Sequence, residues 1–186
     1  MHLTLRKAAA AACLLFAAAG AAQAAAPLDH AVISASYSAA GMLSIGDDYA
    51  GSPVSGLDPL NTSVEFISAD FLFGFDFAPD GQLTIYNNGA IPAGSYVASF
   101  DFGGSLGAAI NGFSVTDAGV TGGVPVLSVV DGHTIRIDLS AVEWNGDYNP
   151  LRTAITLQAA QVPEPAAAWM LAAGLLGLAT QTRRRS

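Results

Sequence analysis

The chain has 186 residues, with 15 acidic side chains against seven basic ones and a formal charge of −8. From Pro27 to Gln161 the imbalance is steeper, because 14 of the carboxylates lie there beside only Arg136 and Arg152. Such a surface repels phosphate and excludes nucleic acid as a partner, and a lone cysteine, Cys13, excludes a disulfide framework.

At the N-terminus, Arg6 and Lys7 precede an unbroken apolar run from Ala8 to Ala19, and Ala22-Gln23-Ala24 follows it. Charged, apolar and then small residues, in that order, predict a secretory signal peptide over residues 1–26. The apolar run is short for a bilayer span, which favours a cleaved signal helix over a retained anchor. Cleavage after Ala24 or Ala26 would start the mature chain near Pro27 and remove Cys13.

Residues 27–158 then read as one ectodomain with period-two patterning and almost no helical periodicity. Ala31 to Ser38 is a predicted first strand. From Ile67 the odd positions Ala69, Phe71, Phe73, Phe75 and Phe77 are apolar, while the even positions Ser68, Asp70, Leu72, Gly74 and Asp76 are mostly small or polar. That pattern predicts a long strand with one buried face. Pro79-Asp80-Gly81 predicts a turn, Leu83 to Tyr86 a short strand, and Asn87-Asn88-Gly89 a second turn. Tyr96, Ala98, Phe100 and Phe102 form the apolar face of another strand. Val124 to Val130 and His133 to Leu139 flank Asp131-Gly132, a two-residue hairpin signal. Arg152 to Gln158 is the predicted last strand. Short strands, frequent turns and no helices predict an all-β fold, an antiparallel β-sandwich or jelly roll.

The body offers little for catalysis. There is no Gly-x-Ser-x-Gly elbow. Its two glutamates, Glu65 and Glu143, read as solvated edge or loop carboxylates rather than a glycosidase pair. Two histidines, His30 and His133, have no zinc-ligand spacing, and His133 is expected to face solvent beside the hairpin turn. The expectation is therefore a non-enzymatic, structural body without a cofactor. Asp47, Asp48 and Asp147 lie in Gly- and Asn-rich loops that could offer oxygens to calcium. The same residue types are ordinary turn formers, and turn chemistry is the preferred reading. Trp144 and Tyr148 lie among Gly, Asn and Asp, a composition suited to stacking on a sugar ring; for Trp144, packing is the favoured alternative. A calcium- or carbohydrate-binding module is thus the second reading of the body, and an extracellular hydrolase ranks last.

Residues 159–161 form a linker, and residues 162–186 differ from everything before them. Val162-Pro163-Glu164-Pro165 holds two prolines that keep the backbone extended. An apolar run from Ala166 to Ala179 follows, then Arg183-Arg184-Arg185. Helical residues 166–180 would reach roughly 22 Å, short of a ~30 Å hydrocarbon core, so the predicted single transmembrane helix is a marginal anchor. The terminal arginines act as a cytoplasmic stop, which leaves the body facing outward. An ordinary tail anchor behind a proline hinge has the same composition.

The three elements in this order resemble the PEP-CTERM sorting domain of Gram-negative bacteria. The resemblance covers Val162 to Pro165, the Gly174-Leu175-Leu176-Gly177-Leu178 span and Arg183 to Arg185, about 25 residues. It implies processing near the motif by an exosortase, an integral membrane cysteine transpeptidase. It also implies a host that makes exopolysaccharide and biofilm matrix. The expected course is export through the inner membrane, transient anchoring, then the cell surface or extracellular matrix, with exopolysaccharide as a further partner. The tail carries sorting and says nothing of the body's activity.

Overall fold

The computed structural model describes residues 26–45, 54–57, 64–119, 122–144 and 146–158. These residues are all-β. In chain order the strands are β1 (Val32–Tyr37), β2 (Met42–Ser44), β3 (Val54–Gly56), β4 (Phe66–Ser68), β5 (Phe73–Phe77), β6 (Gln82–Asn87), β7 (Val97–Asp101), β8 (Ile110–Asp117), β9 (Val126–Asp131), β10 (Thr134–Asp138) and β11 (Pro150–Leu157). Among the described residues a single 3-10 turn spans Gly103–Ser105. Among the described residues no helix is long and apolar enough to cross a membrane. The predicted signal helix and C-terminal transmembrane helix lie outside them.

The strands form two sheets, β3-β1-β7-β10-β9 and β2-β4-β5-β6-β11-β8. Every pairing is antiparallel. A β-sandwich fits this arrangement. Alternation decides which face is buried: Ile33, Ala35 and Tyr37 of β1 point inward, as do Phe73, Phe75 and Phe77 of β5. Phe100 of β7 closes the core between the sheets. Its ring lies 5.0 Å from Phe77, 5.1 Å from Phe75 and 6.0 Å from Phe66. Each buried Phe stabilises by roughly 1.5–3 kcal/mol relative to exposure.

The predicted turn at Pro79-Asp80-Gly81 is present, and its glycine is demanded twice. Gly81 has φ +94°, and a Cβ there would sit 2.6 Å from the carbonyl oxygen of Ile155. The backbone approaches that closely because Ile155 N–H donates to the Gly81 carbonyl at 2.8 Å. Gly81→Ala should therefore cost about 1–3 kcal/mol, read as a lower urea midpoint at unchanged slope. An unchanged midpoint would show that the β6–β11 contact can relax without cost.

Three expectations are corrected. The long strand from Ile67 to Phe77 is broken in two. Leu72 N–H donates to Asp70 Oδ1, and both Leu72 and Phe73 N–H donate to Ser68 Oγ, which turns the chain between β4 and β5. Phe66 and Ser68 rather than Ile67 are then the fully buried residues of β4, and Phe71 is 56% exposed. At the β9–β10 hairpin, Thr134 pairs with Asp131, so the two loop residues are Gly132-His133, one place later than expected. Finally, β2, β3 and β8 had no strand signal, and β8 is among the longest strands described.

Candidate functional site

The residues singled out from sequence separate into three groups. Asp47 and Asp48 lie outside the described residues, as do Val162, Pro163, Glu164, Pro165, Arg183, Arg184 and Arg185. Trp144 is partly buried against the core, its ring 5.7 Å from that of Phe73, so it packs. Its Nε1 is buried without a hydrogen-bond partner among the described residues. Asp147 and Tyr148 stay on the surface, in the loop that leads into β11. Among the described residues no three acidic, histidine or cysteine side chains converge as a metal-binding group.

Tyr148 belongs to a surface hollow of about 460 Å³ on the outer face of the six-stranded sheet. Its floor is the cross-strand pair Gly74 and Tyr86, which faces away from the core. Phe71 and Tyr148 stand at its rim, 56% and 67% exposed. Both have left-handed backbones, φ 59° and 58°. That conformation is uncommon for aromatic residues and must be imposed by surrounding bonds.

The bonds come from Asn87 and Asn88. Asn87 side chain is fully buried; Nδ2 donates to the carbonyls of Gly146 (2.6 Å) and Gly89 (3.0 Å), and Oδ1 accepts from Asn149 N–H at 2.9 Å. Its carbonyl accepts from Tyr148 N–H at 2.9 Å. Asn88 works on the other side: Nδ2 donates to the Phe71 carbonyl at 2.9 Å, and its N–H to the Leu72 carbonyl at 2.8 Å. Two adjacent asparagines at the end of β6 thus fix both rim aromatics. Sequence reasoning found Tyr148 but missed Phe71, which the alternation had assigned to the core.

A second finding concerns charge. Glu65 is 1% exposed rather than solvated, a correction with a clear cause. Its Oε2 accepts the Phe77 N–H at 2.6 Å, so the carboxyl serves as a backbone acceptor where β4 meets β5. Burial pushes its pKa up to about 7, opposed by that N–H and reinforced by nearby Asp76. Desolvation raises Asp76 as well. Glu143, by contrast, is exposed. His133 is at the surface as expected, its Nδ1 2.8 Å from Asp101 Oδ1 and 3.4 Å from Asp131 Oδ1. The Asp101 bond raises the imidazole, while the backbone N–H groups of Gly103 and His133 lead in lowering Asp101 and Asp131 respectively.

The class defined here is an acidic antiparallel β-sandwich followed by a distinct C-terminal segment. Comparison with protein families identifies that segment: residues 161–185 match the PEP-CTERM protein-sorting motif. The motif implies an exosortase as processing partner and export to the cell envelope or surface. No curated protein and no solved structure matches the chain.

Proposed function

We propose that the chain is an exported structural protein of the cell surface or exopolysaccharide matrix, without enzymatic activity. In this reading residues 1–26 direct export, residues 27–158 are the cargo, residues 159–161 link it to the tail, and residues 162–186 are the sorting segment. The apolar span holds the body at the membrane until the exosortase acts near Val162 to Pro165. The observation that supports this best is the sorting motif at residues 161–185 behind an acidic β-sandwich.

The division of labour follows from physical chemistry. Pro163 and Pro165 keep the backbone out of helix and ladder, so a membrane-embedded enzyme can reach it. Arg183 to Arg185 resist translocation and hold the motif at the bilayer surface. A body of 14 carboxylates and two arginines stays soluble outside the cell through self-repulsion.

Two variants test the reading in the native host, scored by membrane and medium fractionation with immunoblotting. Glu164→Ala is expected to accumulate an unprocessed, membrane-bound precursor. Deletion of Arg183 to Arg185 is expected to do the same or to misroute the chain. Normal release of both variants would overturn the proposal.

A further inference from the structure

We propose that the hollow between Phe71 and Tyr148 is a binding site for a neutral pyranose segment of a polysaccharide. The inference rests on the exported reading only in placing the protein where polysaccharide is found; its test is made in solution and does not depend on sorting.

Four observations carry it. The hollow holds about 460 Å³, inside the roughly 300–1,000 Å³ range of small-molecule sites. Its rim and floor present three aromatic rings, Phe71, Tyr86 and Tyr148. Aromatic faces suit the apolar C–H face of a sugar ring, and the tyrosine hydroxyls and the Asn88 amide can bond hydroxyls at its edge. Gly74 opposes Tyr86 in the ladder and leaves its half of the floor without a side chain, where a Cβ would lie in van der Waals contact with Val64 Cγ1 at 3.4 Å.

The third observation is strain. Phe71 and Tyr148 both line one hollow and share a left-handed backbone, each fixed by a nearby asparagine. Glycine would take that conformation more readily, yet large rings stand there, exposed to solvent. Folding alone gains little from an exposed ring in an unfavourable backbone state, whereas a ligand-binding rim needs ring and rigidity together. The fourth observation is charge. With 14 carboxylates against two arginines between Pro27 and Gln161, the body repels polyanions and favours a neutral chain.

The test uses mature protein purified from the host, with cello-, malto- and laminari-hexaose as neutral probes and an alginate oligomer as the anionic control. Binding is followed by calorimetric titration and by chemical-shift changes at Phe71, Tyr86 and Tyr148. At least one neutral probe should bind and shift these three residues, and alginate should not. The double variant Phe71→Gly, Tyr148→Gly should weaken that binding by at least about tenfold. Its thermal midpoint should stay level or rise, because glycine relieves both positive-φ positions. The proposal is overturned if no neutral probe shifts the three residues, if alginate binds equally well, or if the double variant still binds. It is also overturned if that variant unfolds at markedly lower temperature, since the rings would then be structural. Concentration-dependent dimerisation abolished by the same variant would assign the hollow to a second copy instead.

Discussion

Phe100→Ala is expected to destabilise the body by about 3–5 kcal/mol, the usual cost of deleting a fully buried ring. The value belongs at the upper end because of position. Phe100 sits on β7, central in its sheet, is fully buried, and meets the rings of Phe66, Phe75 and Phe77 from the opposite sheet. Truncation removes the apolar area of the ring and at least two edge-to-face contacts at 5.0–5.1 Å. The hole cannot collapse easily, since hydrogen-bonded neighbours hold β7 on both sides, β1 and β10. Single domains are usually stable by about 5–15 kcal/mol, so the loss could consume much of the total. Urea titration with a fluorescence readout should show the midpoint falling sharply. A loss below about 1 kcal/mol would mean that the two sheets do not meet at this ring.

Glu65→Gln is expected to change how stability depends on pH. The folded protein raises the Glu65 pKa to about 7, while an unfolded glutamate titrates near its ordinary value of 4.5. The neutral acid is therefore the form that the fold prefers. Its contribution is fully present below about pH 4.5 and is lost as pH rises through about 7. The loss should be on the order of 2 kcal/mol, allowing for relaxation around the charge. Glutamine keeps the shape and an oxygen to accept the Phe77 N–H, without titrating. The variant should match the parent near pH 4.5 and exceed it near pH 8. Asp76 tilts the parent and the variant in the same direction, so the difference between them reports Glu65 together with its coupling to Asp76. Parallel curves for the two proteins would show that Glu65 is not the group responsible.

What could be read from sequence, and what could not, follows from where each signal resides. β1, β7 and β10 were legible because one face of each is buried and the apolar positions alternate; Ile135 and Ile137 mark the inward face of β10. Edge strands carry a fainter version of that pattern. In β8, Asn111 and Gly112 interrupt it, and the strand is defined by its pairing with β11 through two register shifts. Phe71 looked like core because its position was odd, but a Ser68–Asp70 turn reverses the direction of the chain there. Nothing local to Glu65 reveals that its carboxyl meets the Phe77 amide 12 residues away. The rim of the hollow likewise needs β6, the 69–72 turn and the 146–149 loop brought together by Asn87 and Asn88. The sorting motif was legible in full, because its prolines, apolar span and arginines act through linear order rather than tertiary contacts.

Intact-mass spectrometry of the protein recovered from the cell surface and medium tests the central claim most directly. Signal-peptide removal together with exosortase processing predicts a product that begins near Pro27 and lacks the apolar span together with Arg183 to Ser186. A surface product whose mass still includes Ser186 would contradict it and leave an ordinary membrane-anchored protein in its place.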